Sequence, residues 1–487
     1  MTQFRECCGV TPARVLASMI AIQNGILYRE LQKKGNEMSI TSKYIGSSSR
    51  LRASGRTVCA AAFLALGLSH AAAEEITIAT VNNQDMVIMQ ELSSDWEQKT
   101  GNSINWLVLE ENVLRQRVTT DISTDGGQFD VITLGSYEAP IWGKNGWLFP
   151  VDDLGADYDY ADIFETVRKG LSTEGKLFAL PFYAESSMTY YRRDLFEKAG
   201  ITMPEQPTYA QIAEFAAKVH DPAKKVYGLC LRGKPGSGEN MVPIMTSVNT
   251  HGGKWFDMEW TPQINTEAWH KAVNLYVDLL KKYGPPGVTS NGYNETRALF
   301  AGGNCGMWID ATVAAGYLFD PAESKVAATV GFTKAPIADV PNGAALQWAW
   351  ALAIPKSSGK ADVAKSFMAW ATSKEYNRAV GEKKGWIVIP PGTRQSTYDL
   401  AEYQKVAPFA NFVKDAILSA DPTKPSKDPV PYTGITYASI PEYQSIGTEV
   451  GQQIAAALTG QQTVDQALVA GQSFTEKTME QSGYLKK

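Results

Sequence analysis

At 487 residues the chain is too long for one compact core, and about two domains are expected at roughly 100–200 residues each. Hydrophobic residues make up 44% and charged residues 20%, a globular balance that excludes a disordered or fibrous chain. The net charge of −5 speaks against nucleic acid or anionic lipid as a partner.

In chain order, a basic stretch (Arg50, Arg52, Arg56) precedes an apolar run from Val58 to Leu68, which ends in Ala71, Ala72 and Ala73 before Glu74. The run is too short to cross a bilayer as a helix. A basic region, a short apolar region and a small-residue end predict a secretory signal cleaved after Ala73, and hence a periplasmic protein. Cys59 opens the run instead of flanking the cleavage site, so no lipid anchor is expected. Signals usually run roughly 15–30 residues. Met38 is therefore read as the true start, and residues 1–37 as an extension. Processing removes nine basic and three acidic side chains, leaving 37 against 48 and a net charge of −11.

Past Glu74, strand and helix patterns alternate. Strands are expected over 76–80, 104–109 and 129–134, with helices over 86–99 and 114–122 between them. This βαβαβ order predicts a parallel sheet covered by helices, with ligands bound at the carboxyl ends of its strands. A second α/β set follows from about residue 185, with strands 227–231 and 305–309 and a helix over 266–282. Two cysteines remain after processing, Cys230 and Cys305; a bridge and two buried thiols both fit. No C-x-x-C or H-E-x-x-H spacing, P-loop or nucleophile elbow occurs, so neither a metal, a cofactor nor a catalytic centre is expected.

Three stretches carry more specific information. The first is Gly175-Lys-Leu-Phe-Ala-Leu-Pro181, followed by Met188-Thr-Tyr-Tyr-Arg-Arg-Asp-Leu-Phe-Glu-Lys-Ala-Gly-Ile201. The second is Trp350-Ala-Leu-Ala-Ile-Pro-Lys-Ser-Ser358 with Phe367-Met-Ala-Trp-Ala-Thr-Ser373, and the third runs from Gly460 to Gln472. Together, in this order, they resemble the signature of family 1 extracellular solute-binding proteins, the maltose-binding-protein-like group. The segments 80–85, 110–117, 231–234 and 307–312 are most similar to its sorbitol/mannitol-binding branch.

The resemblance implies an α/β fold of two lobes around a ligand cleft, with three chain crossings between them. By motif position these fall at Ala184 and Glu185, Ala327 and Ala328, and Trp386 and Ile387. Residues 74–184 and 328–386 would form lobe one, and 185–327 and 387–487 lobe two. A small polyol or monosaccharide would be held by hinge closure, and the closed monomer would be read by the membrane permease of an ABC importer. A co-receptor for chemotaxis or signalling would share this fold, and a carbohydrate-active enzyme is the remote alternative.

Each polyol hydroxyl both donates and accepts, which calls for amide, carboxylate and guanidinium partners. The carbon faces call for aromatic rings. Asn82, Asn83, Gln84 and Asp85 follow the first strand, where they serve ligand contact or helix capping. Glu111 and Arg115 follow the second strand as ligand contacts or a solvated ion pair, and Ser136 and Tyr137 follow the third. Tyr183 and Glu185 flank the first crossing. Arg232 ends a second-set strand, as a ligand clamp or a structural ion pair, and Trp308 and Asp310 flank another strand end. Trp348 and Trp350 alternate on one strand, and Trp348 is taken as the cleft residue; Trp386 and, more weakly, Tyr432 complete the set. The glycine-rich stretch after Arg232 lacks the aromatic tray of an oligosaccharide binder, favouring a small ligand.

Overall fold

The computed structural model describes residues 73–485; the signal and the extension before it lie outside the described residues. Alternating residues of β1 (Glu75–Val81) bury Ile76 and Ile78. β2 (Ser103–Leu109) and β3 (Val131–Gly135) pair with β1 in parallel. β3 is buried along its whole length, as a central strand with covered faces must be. The expected helix over 86–99 is two helices, α1 (Gln84–Leu92) and α2 (Ser94–Thr100). They part at Ser93, whose hydroxyl turns back to donate to the Gln90 carbonyl at 2.8 Å. α3 (Glu111–Ser123) and α4 (Glu138–Lys144) follow β2 and β3.

The first sheet is completed by β4 (Leu180–Glu185) and, from much later in the chain, β9 (Trp348–Ala353), in the order β2-β1-β3-β9-β4. β9 runs antiparallel to both neighbours. The second sheet has the order β8-β5-β7-β6, from β5 (Ser187–Arg192), β6 (Tyr227–Cys230), β7 (Cys305–Ala311) and β8 (Val330–Lys334). Around it stand α5 (Met241–Thr250), α6 (Glu267–Tyr283), α7 (Tyr293–Ala301), α8 (Tyr443–Leu458) and α9 (Val464–Gln481). Cys230 and Cys305 form a disulfide between β6 and β7, their Cα atoms 5.9 Å apart.

The chain first leaves the first sheet between β4 and β5, through Ser186, beside the crossing expected at Ala184 and Glu185. Two other crossings lie later than the motif positions implied. β8 pairs antiparallel with β5 from Val330↔Arg192 to Lys334↔Met188, so the chain is still in the second sheet there. The second passage therefore spans 335–347 and not Ala327 and Ala328. After Trp386 the chain stays with the first lobe. Arg394 is buried and donates to the carbonyls of Thr372 and Tyr158 at 2.8 and 3.1 Å. Tyr398, Tyr403, Val413 and Ile417 join the same hydrophobic cluster as β1 and β3. The third passage falls after Ala420, which packs with Leu346 of the second passage and with Ile435.

Candidate ligand cleft

Between the two sheets lies a cavity whose empty volume, taken out to its open mouth, is ≈ 980 Å³. Its first wall is the β9–β4 pair. The register sets Trp348 opposite Glu185 and Trp350 opposite Tyr183, so period two turns all four onto one face. Trp348 and Trp350 thus both line the cavity, where the sequence singled out Trp348. The Trp348 ring packs on Gly135, where a Cβ would stand 1.9 Å from it; only glycine fits. The Arg115 guanidinium sits 5.1 Å from the Trp348 ring centre and 4.9 Å from that of Trp350. It donates through Nε and Nη2 to Glu111 at 3.0 and 2.9 Å, and through Nη1 to Glu138. Glu138 is fixed in turn by the Gly135 amide at 2.9 Å. Burial pulls the Arg115 pKa down, but the Glu138 and Glu111 carboxylates outweigh it and hold it above its usual range. Asn83 does two jobs: its Oδ1 caps α1 by accepting the Met86 amide at 2.9 Å, and its Nδ2 donates to the Tyr183 hydroxyl at 3.2 Å.

The second wall comes from strand ends. Arg232, two residues past the disulfide, donates to Asp310 through Nε and Nη2 at 2.9 and 2.5 Å, a bidentate fork. Its Nη1 donates to the Gly238 carbonyl at 2.7 Å, and its plane lies 5.0 Å from the Tyr293 ring centre. Glu185 lies 7% exposed at the floor. Burial raises its carboxyl to about 8; Arg232 opposes this, while Asp310, Glu111 and Asp85 add to it. Glu239, facing Arg232, is raised by burial and by Glu111.

The two walls meet. Lys234 donates to Glu110 across the mouth at 2.6 Å, and Asn294 donates to the Asn82 carbonyl at 3.0 Å. The Tyr137 hydroxyl lies 2.9 and 3.0 Å from the carbonyls of Ile440 and Pro441, its ring edge-on to Tyr437 and Tyr443. A Cβ on Gly238 would fall 2.0 Å from Glu111 Oε1 of the opposite lobe. This is the closed arrangement.

The cavity collects Asn82, Asn83, Glu111, Arg115, Tyr137, Tyr183, Glu185, Arg232 and Trp348 from the sequence set. The others stand elsewhere. Ser136 is a strand tie, accepting the Ala349 amide at 3.0 Å. Gln84 and Asp85 line a smaller groove behind, with Thr312, Ile387 and Pro391. Trp308 is fully buried and stacks on its register partner Tyr190 at 5.3 Å, because it lies deeper along β7 than Asp310. Asp310 supports the cavity through Arg232 without lining it. Trp386 packs against Gly381, and the Tyr432 hydroxyl accepts the Trp255 amide at 3.0 Å in the second-lobe core. Sequence reasoning missed Glu110, Lys234, Glu239, Tyr293, Tyr437 and Tyr443. Glu110, at a strand-to-helix turn like Asn83 and Tyr137, carries a local signal, and Lys234 lies in the branch-like segment 231–234.

The model of the bacterial extracellular solute-binding proteins matches residues 80–378. The chain belongs to this family. Over 428 residues it is 52% identical to the mannitol-binding protein of Pseudomonas aeruginosa, covering 88% of this chain and 98% of that one. An ABC transporter solute-binding protein from Agrobacterium vitis S4, solved with bound D-mannitol, is 56% identical with a TM-score of 0.84. That match covers 85% of this chain and 100% of the other. A maltose-bound T. maritima protein, 19% identical with a TM-score of 0.72 over 83% of this chain and all of its own, shares the fold. This solute-binding protein therefore has the α/β two-lobe fold of its family. Among the described residues no helix is long and apolar enough to cross a membrane.

Proposed function

We propose that this chain is the periplasmic capture subunit of an ABC importer for a sugar alcohol, with D-mannitol or a close alditol as ligand. The observation that carries this is the 56% identical protein holding D-mannitol in the same fold. The chemistry of the cleft supports it. Trp348 and Trp350 offer apolar faces to a carbon backbone, and Glu185, Arg232, Glu111 and Asn83 offer the donors and acceptors that hydroxyls need. Ligand would bridge the walls and hold the lobes closed, and the closed monomer would be what the permease recognises. The protein acts by binding and release, without turnover. Export through the segment before Glu74 belongs to the same reading.

A thermal-shift screen over alditols, monosaccharides and amino acids tests this. A ligand specific to the folded state stabilises it by about 2.7 kcal/mol at 100 times its Kd. D-Mannitol or a related hexitol should give the largest rise in Tm. A rise with an amino acid and none with any polyol or sugar would overturn the reading.

A further inference from the structure

Each cation of the cleft is already paired with a carboxylate. Arg115 donates through three nitrogens to Glu111 and Glu138, and Arg232 through three to Asp310 and the Gly238 carbonyl. Lys234 holds Glu110 at 2.6 Å and stands 3.8 Å from Glu239. The carboxylates are not committed in the same way. Glu185 lines the cavity, and among the described residues its carboxyl has no hydrogen-bond partner. Glu239 is 4% exposed, accepts the Tyr293 amide at 3.2 Å and stands 4.0 Å from the nearest Arg232 nitrogen. An anionic ligand would thus meet guanidinium charges already balanced by carboxylates, while a cationic one would meet an acid without a partner.

Resting on the polyol reading above, we infer that this cleft sorts polyols by charge, with Glu185 setting the order. It takes neutral alditols and also amino-alditols, in which an ammonium replaces a hydroxyl, and rejects aldonates and alditol phosphates. Like charges brought together out of water are strongly unfavourable, whereas an ammonium against a lone buried carboxylate gains the stronger, charge-assisted hydrogen bond. The ionised Glu185 that an ammonium requires is held back by burial up to about pH 8, against the pull of Arg232 and helped by Asp310, Glu111 and Asp85. Amine binding should therefore strengthen from pH 6 to pH 8, unlike that of mannitol, which can accept from the protonated carboxyl as well as donate to the ionised one.

Calorimetric titration of the full mature chain at pH 8.5, where Glu185 is ionised, with D-mannitol, 1-amino-1-deoxy-D-mannitol, D-mannonate, D-mannonamide and mannitol 1-phosphate tests this. The amine should bind within about tenfold of mannitol or better. Mannonate and the phosphate should bind on the order of 100-fold more weakly. The neutral mannonamide, with nearly the shape of mannonate, should recover at least about tenfold, which separates charge from size. Glu185→Gln should narrow the gap between amine and mannonate by about tenfold and abolish the rise in amine affinity between pH 6 and pH 8. Mannonate binding within threefold of mannonamide, or an unchanged gap between amine and mannonate in Glu185→Gln, would overturn the inference. The wild-type series decides even if the variant fails to fold. If mannitol itself gives no heat, the polyol reading fails instead, so the two failures are distinguishable.

Discussion

The two walls of the cleft hold similar chemistry on different supports. The first presents Trp348, Trp350, Tyr183 and Glu185 from two neighbouring strands, whose register turns them to one face. The second presents Arg232 and Asp310 from strand ends and Glu239 from a glycine-rich loop, tied by the disulfide just behind. Each wall is organised around one buried arginine held by carboxylates. Both walls carry ion pairs, but the first adds strand register where the second adds a cross-link, so the same kind of substitution should have unequal consequences.

The largest effect should come from Arg232→Ala. It leaves Asp310 buried without a cation, at a cost of about 3–5 kcal/mol. Thermal melts should show that loss of stability and calorimetry at least a hundredfold loss of mannitol affinity. A variant that binds normally would remove Arg232 from the cleft. Replacing Cys230 and Cys305 by serine comes next. The bridge spans 75 residues, and loop-closure entropy at that length corresponds to roughly 4 kcal/mol. The loss should appear as reduced hydrogen-exchange protection in β6 and β7 with β9 and β4 spared; uniform loss would contradict a disulfide that serves the second wall.

Gly238→Ala probes the meeting of the walls, because the added methyl would collide with Glu111. Mannitol affinity should fall about tenfold. Small-angle scattering should show a more open molecule at saturating ligand, and a variant that closes normally would refute this role. The smallest effect concerns pH. Desolvation raises Glu185 to about 8 from 4.5 and Asp85 to about 7 from 3.8. Both keep a proton in the folded chain that the unfolded chain has released. Their contribution is full below the ordinary carboxylate values and is lost as pH rises through about 7 and 8. The Tm of the ligand-free protein should therefore decline from pH 5 to pH 8.5, and Glu185→Gln should shallow that decline. An unchanged slope would show that Glu185 is ionised throughout.

Much of the first wall was legible because its rules are local. Strand ends in an α/β sheet point toward a ligand site, and that rule brought Asn83, Arg115 and Tyr137 to the cavity. Period two on a strand predicted a shared face for Trp348 and Trp350, yet only one was assigned to the cleft. The same strand-end rule misplaced Ser136 and Trp308, since how deep a residue sits along its strand depends on register with a distant partner, here Ala349 and Tyr190. Glu239, Tyr293, Tyr437 and Tyr443 were illegible, because they reach the cavity only through contacts between segments far apart in sequence. The later crossings were misread for a similar reason: β8 looks like the start of a return until its pairing with β5 is known.

The central claim is that both walls close on one molecule of alditol, and calorimetric titration of the exported chain with D-mannitol tests it most directly. One saturable site should appear, with a negative heat-capacity change from apolar surface buried at Trp348 and Trp350. Absence of binding by mannitol, sorbitol and ribitol alike, with the protein folded, would contradict it.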